Sequence, residues 1–94
     1  MGAWLTVTPS FAWELGDRQA YNNKMAILKV MLESARERAI AVNDLETMCL
    51  IMSIGNDVTE SYLRVRAEED LIQKRLVGMR NDLTACLALL YDRN

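Results

Sequence analysis

Apolar residues recur at alternating spacings of four and three along the last third of the chain, and Glu69 is the only charged member of the row. An apolar period of 3.5 residues sustained over about four heptads is typical of a helix that buries one seam against another helix. The pattern predicts one long helix over residues 58–91. Its seam consists of Val58, Tyr62, Val65, Glu69, Ile72, Leu76, Met79, Leu83, Cys86 and Leu90.

A second row with the same spacing predicts another helix over residues 18–42, for which Asp17 or Asn22 is a candidate N-cap. This row consists of Tyr21, Met25, Leu28, Leu32, Ala35, Ala39 and Val42. Ile27, Val30 and Met31 add apolar surface on other faces, so the helix must be covered on more than one side.

A short third helix is predicted between these two, over residues 44–54. Asn43 and Glu46 fit a capping box at its start. Gly55 stands where a helix commonly ends on a left-handed residue, which places a turn at residues 55–57.

Composition supports an all-α fold in a single domain over residues 1–94. The chain has one proline and four glycines, too few for a protein built from many tight turns. We expect a helical bundle with a long C-terminal helix, preceded by a short segment over residues 1–17.

The segment over residues 1–17 carries three of the six aromatic side chains: Trp4, Phe11 and Trp13. These side chains have two interpretations. The segment packs over one end of the bundle as a lid, or it extends from the bundle as an aromatic anchor for a partner, since Trp is a frequent hot-spot residue.

Helix lengths point to self-association. A helix over residues 58–91 would be about 51 Å long, whereas the helix over residues 44–54 would reach only about 16 Å. The short helix cannot cover the long one, and large exposed apolar surfaces mark interaction sites. We therefore expect a homodimer, the commonest oligomer. The self-association residues would be Leu76, Met79, Leu83, Cys86, Leu87 and Leu90.

Glu69 interrupts the apolar seam and has two interpretations. Either it reaches out to solvent, or it is a buried polar residue that limits the alternative alignments of the helices and pairs with Arg36, with Arg38 or with an arginine of a second subunit.

The residue types exclude most catalytic chemistry. The chain has no histidine, which removes Ser-His-Asp and Cys-His catalysis and the common zinc motifs. No glycine-rich phosphate loop is present, and Glu33 and Glu37 alternate with arginines in the manner of a solvated helix face. The sequence predicts a protein that is not an enzyme and holds no cofactor or metal.

Cys49 and Cys86 both occupy apolar positions of helical patterns. We expect them to be small buried hydrophobic residues, with a disulfide as the less favoured alternative. No secretory signal pattern and no apolar run of about 20 residues is present, so the expected compartment is the cytoplasm, without membrane contact.

The near-neutral net charge of −2 and the pI of about 5.0 make nucleic acid an unlikely partner. The alternative is a helix-turn-helix DNA-binding regulator that uses residues 44–66, with Arg64 and Arg66 near phosphates. We favour a small non-catalytic protein that acts by protein–protein interaction, as an adaptor, a chaperone, an anti-activator or a phage-type inhibitor of a host machine. Candidate residues for a foreign partner are Trp4, Phe11, Trp13, Arg64, Arg66, Arg75 and Arg80.

Overall fold

The computed structural model describes residues 17–92, which form three α-helices and no strand. Helix α1 spans Arg18–Val42, α2 spans Leu45–Val65 and α3 spans Asp70–Asp92. The all-α prediction is confirmed. Trp4, Phe11 and Trp13 lie outside the described residues, so the choice between lid and anchor stays open.

Helix α1 begins and ends where its sequence pattern predicts. The carboxylate of Asp17 accepts hydrogen bonds from the backbone N–H groups of Gln19 and Ala20, at 2.7 and 3.3 Å. At the other end Asn43 adopts a left-handed conformation, with φ of 63°. These two caps satisfy backbone groups that a helix otherwise leaves without partners.

The predicted turn at residues 55–57 is wrong, because α2 continues through Gly55 to Val65. Gly55 is buried, and none of the described glycines has a positive φ. A Cβ atom built on Gly55 would lie 3.2 Å from the terminal methyl of Met79. The glycine therefore permits close packing of α3 on α2 and does not end the helix.

The predicted helix over residues 58–91 is also wrong, since the chain turns back between Val65 and Asp70. Helix α2 lies in the middle and packs extensively against both α1 and α3. Each consecutive pair of helices is antiparallel. This arrangement covers most of the long apolar seam within the chain.

Cys49 and Cys86 form a disulfide between α2 and α3, with a Cα–Cα distance of 5.7 Å. The expectation of free buried thiols is therefore wrong. Equal numbers of residues separate Cys49 from Arg66 and Glu69 from Cys86. In an antiparallel helix pair joined by a turn over residues 66–69, such positions lie opposite each other.

Asp44 caps α2 in place of the predicted Asn43. Its carboxylate accepts hydrogen bonds from the hydroxyl and the backbone N–H of Thr47, at 2.8 and 3.2 Å, and one from Arg38 at 3.2 Å. The hydrogen bonds from Thr47, followed by Arg38, lower the pKa of Asp44 below its ordinary value.

This cap predicts a pH dependence. A carboxyl group with a lowered pKa in the folded state stabilises the fold above its unfolded pKa, and the contribution is lost as pH falls through the folded pKa. In carboxyl-detected NMR, Asp44 should titrate below the ordinary aspartate pKa. Replacing Thr47 by valine should raise the midpoint, whereas Thr84→Val, on α3, should leave it unchanged. An ordinary Asp44 midpoint in the wild type would contradict the cap.

Candidate binding groove

A groove with a volume of about 470 Å³ lies over α2, between α1 and α3. Its sides and floor are mainly apolar and include three methionines, while polar side chains lie among them and along the rim. The apolar members are Met25, Ala26, Leu28, Leu32, Ile51, Met52, Gly55 and Met79. The polar members are Asn22, Lys29, Asn56, Arg75 and Asp82. We call this set the groove.

Met25 and Met79 approach each other over Gly55 from opposite sides of the groove. Their terminal methyls lie 3.9 and 3.2 Å from the position of a Cβ on Gly55. Both sulfur atoms lie 3.8 Å from the hydroxyl of Thr59, which also hydrogen-bonds Tyr21 at 2.9 Å. Methionine side chains are unbranched and polarisable, so the walls here can adjust to an occupant.

Asn56 is the buried polar residue of the groove, with 6% of its surface exposed. Its side-chain amide donates hydrogen bonds to the carbonyl oxygens of Met52, at 2.9 Å, and Met79, at 3.4 Å. The amide oxygen, Oδ1, is buried and accepts no hydrogen bond from residues 17–92. A buried acceptor without a donor costs about 1–3 kcal/mol, so a ligand that donates a hydrogen bond to this atom would gain binding free energy.

The charges of the groove lie along its rim. Lys29 is exposed and makes no ion pair with any residue in the described range. Arg75 donates a hydrogen bond to the Tyr21 hydroxyl at 3.4 Å, and its guanidinium carbon lies 6.0 Å from the centroid of the Tyr21 ring. Arg75 thus bridges α3 and α1 near one end of the groove.

Glu69, in the turn before α3, makes a second set of contacts with α1 and α2. It forms an ion pair with Arg18 and accepts a hydrogen bond from the Tyr62 hydroxyl, with 19% of its side chain exposed. The proposed pairing with Arg36 or Arg38 is wrong, and the carboxylate does not extend freely into solvent. Burial, and then the hydrogen bond to Glu69, raises the pKa of Tyr62.

Replacing Glu69 by glutamine is expected to lower the free energy of unfolding by about 1 kcal/mol, because it removes the charged partner of Arg18 and Tyr62. Glu68→Gln is the matched control, since Glu68 is exposed and lies 3.6 Å from Arg66. The control should change stability by less than about 0.5 kcal/mol. Urea denaturation measures both, and equal effects of the two substitutions would contradict the role of Glu69.

The predicted self-association residues occupy different environments. Leu76 is buried in the core and Cys86 lies in the disulfide, so these two side chains are used within the chain. Met79 lines the groove, and Leu83, Leu87 and Leu90 are half-buried. Their role in a homodimer stays a prediction.

The arginines proposed for a partner differ in their surroundings. Arg64 is exposed on α2, Arg66 lies beside Glu68, and Arg80 forms an ion pair with Glu60 at 2.6 Å. Arg75 is the one that lines the groove.

The helix-turn-helix suggested for residues 44–66 is not formed, because Leu45–Val65 is one helix. Sequence reasoning also missed the groove. Its residues come from three helices, and no local spacing pattern connects them. The symmetric placement of Cys49 and Cys86 about residues 66–69 was the available signal for the true helix pairing.

No match to this chain was found among protein-family models, among curated proteins or among solved structures. Within residues 17–92, no helix is both long and apolar enough to cross a membrane. The same residues contain no cluster of three or more metal-ligating side chains of the His, Cys, Asp or Glu type.

Proposed function

We propose that this protein is a non-catalytic interaction module whose groove receives an amphipathic helix from a partner protein. The observation that carries the proposal is the open, methionine-lined groove between α1 and α3. Methionine-rich apolar grooves suit helical ligands, because they adapt to the side chains of an incoming apolar face.

The shape of the groove favours a helix as its occupant. Helices α1 and α3 both pack on α2, and the groove runs along α1 from Asn22 to Leu32. This stretch is about 15 Å long, or roughly three helical turns. A helix lying over Gly55 would contact all three helices of the module and complete a four-helix arrangement.

Charge narrows the choice of partner. Lys29 lies unpaired among the described residues at the rim, and Arg75 adds a second positive charge against the single negative charge of Asp82. A helix with an acidic residue beside its apolar face would complement this rim. Such pairs at a rim raise association rates more than they raise affinity.

Adaptors, chaperones, anti-activators and inhibitors of host machinery act in this way, and we keep that range of roles for this protein. Self-association through Leu83, Leu87 and Leu90 remains part of the proposal, because part of each of these apolar side chains is still exposed. The disulfide favours an oxidising compartment over the cytoplasm expected from the sequence.

Methyl NMR of the intact protein, labelled at methionine, tests the proposal. The probe is a synthetic amphipathic peptide of about 14 residues, roughly 21 Å long as a helix, with one apolar face and one glutamate beside it. The methyl signals of Met25, Met52 and Met79 should shift on titration. Those of Met31 and Met48, which do not line the groove, serve as internal controls.

Two glutamate substitutions sharpen this test. Ala26→Glu places a carboxylate where the apolar face of the peptide would pack and should abolish the shifts, because removing a charge from water against an apolar surface is costly. Ala85→Glu, exposed on α3 outside the groove, should preserve them. Equal shifts of the groove methionines and of the two controls, or binding that survives Ala26→Glu, would overturn the proposal. So would the absence of any shift at millimolar peptide.

A further inference from the structure

Asn56 sets a chemical requirement on whatever occupies the groove. Its Oδ1 accepts no hydrogen bond from the described part of the chain, and only 6% of the residue's surface is exposed. Building on the proposed function, we propose that the partner helix inserts a tryptophan whose indole N–H donates a hydrogen bond to Asn56 Oδ1.

The surroundings of Asn56 select the donor. The groove surface is mainly apolar, and its one carboxylate, Asp82, is exposed on the rim, so a charged donor such as lysine would lose much of its hydration on reaching the buried Asn56. The indole of tryptophan donates one hydrogen bond, accepts none and carries a large apolar body. It therefore satisfies the unpaired acceptor and adds no acceptor of its own.

The methionines provide a place for the ring. Met25 and Met79 meet over Gly55, the residue next to Asn56, and Met52 lies one helical turn earlier on α2. Methionine sulfur and methyl groups make favourable contacts with aromatic rings. Because Oδ1 is buried, the indole gains access by displacing the side chain of Met79 or Met25, both of which are half-buried and rotate about three bonds.

Gly55 keeps this position open. A Cβ at this position would lie 3.2 Å from the Met79 methyl, so a side chain here would take up space that Met79 and an incoming ring would otherwise share. A glycine and an amide whose oxygen accepts no hydrogen bond from the described residues are thus neighbours in the groove. Together they define a site for a flat ring that bears one N–H group.

The test compares two peptides on the intact protein. One carries tryptophan at the centre of the apolar face of the amphipathic peptide. The other carries 3-benzothienylalanine, in which sulfur replaces the indole N–H at nearly constant shape. The wild type should bind the tryptophan peptide about tenfold more tightly, the effect of one well-made hydrogen bond. Titration calorimetry measures both affinities.

Asn56→Leu should abolish this preference while it retains affinity for the benzothienylalanine peptide. Asn81→Leu is the matched control, exposed on α3 outside the groove, and should keep the preference. Equal affinity of the wild type for both peptides would overturn the role of Asn56, as would a preference that survives Asn56→Leu. The comparison on the wild type decides the question even if Asn56→Leu fails to fold.

Two further outcomes separate this inference from its alternatives. If both peptides shift the signals of Met25, Met52 and Met79 and bind with equal affinity, the groove binds helices but does not distinguish the indole N–H. In that case only the inference about Asn56 fails. If neither peptide shifts these signals, the proposed function fails as well. If the double variant Trp4→Phe, Trp13→Phe binds the tryptophan peptide much more tightly than the wild type, the chain's own indoles compete for the groove. That result would overturn the inference that a partner supplies the tryptophan.

Discussion

Replacing Cys49 and Cys86 together by alanine is expected to lower the free energy of unfolding by about 4 kcal/mol. The disulfide closes a loop between residues that are 37 apart in sequence. Cross-linking a loop of this size removes chain entropy from the unfolded state, worth about 4 kcal/mol in the usual entropic description. A domain of this size has a total stability of about 5–10 kcal/mol, so the loss is a large fraction.

Urea denaturation under non-reducing conditions measures the effect, with reduction of the wild type as the control. Reduced wild type should resemble the double variant, and the reductant should leave the double variant unchanged. A wild type whose unfolding midpoint does not respond to reduction would show that the covalent link between α2 and α3 is absent or without consequence.

Replacing Tyr62 by alanine is expected to cost about 3–5 kcal/mol, the usual range for deleting a large buried aromatic side chain. Tyr62 is 2% exposed, and its ring stacks on Tyr21 with centroids 4.6 Å apart. Its hydroxyl donates to Glu69. The side chain therefore joins α2 both to α1 and to the turn before α3.

Tyr62→Phe separates the ring from the hydroxyl. It keeps the stack on Tyr21 and leaves Glu69 paired with Arg18, so we expect a loss of about 1 kcal/mol. The same urea experiment measures both variants. If phenylalanine proved as costly as alanine, the hydroxyl and not the ring would connect the helices, contrary to the packing described above.

The all-α class and the whole of α1 could be predicted from sequence, because local signals agree there. The heptad-like row ends at Val42, and Asp17 was one of the two candidate N-caps, as the structure has them. Asn43, predicted to begin the next helix, is instead the left-handed residue that ends α1. The apolar seam was identified in part as a buried surface: Tyr62, Ile72, Leu76 and Cys86 are buried, whereas Val65 is exposed. What the seam could not reveal is that it folds back on itself.

The end of the second helix was predicted wrongly, because the local sequence indicates a turn at a place where tertiary packing keeps the chain helical. Gly55 followed by Asn56 and Asp57 has the composition of a turn, yet Gly55 serves the contact with Met79 and the Asn56 amide bonds Met52 and Met79. The real turn at residues 66–69 contains no glycine or proline. It is held by tertiary contacts of Glu69, which no spacing rule detects.

The groove could not be predicted for the same reason. With the turn misplaced, Met79 and Gly55 belonged to unrelated parts of the fold, and Asn56 was a turn residue. Correct pairing of α2 with α3 brings a glycine, a buried amide and methionines from all three helices to one surface. These residues become neighbours only in the folded chain, and both the proposed function and the inference about Asn56 depend on their proximity.

The most direct measurement is the set of nuclear Overhauser effects between the methionine methyls of the protein and the indole protons of the bound tryptophan peptide. We predict contacts from Met25, Met52 and Met79 to the indole ring and none from Met31 or Met48. Contacts to Met31 or Met48 alone, with no nuclear Overhauser effect from Met25, Met52 or Met79, would place the peptide elsewhere and contradict the assignment of the groove as the binding site.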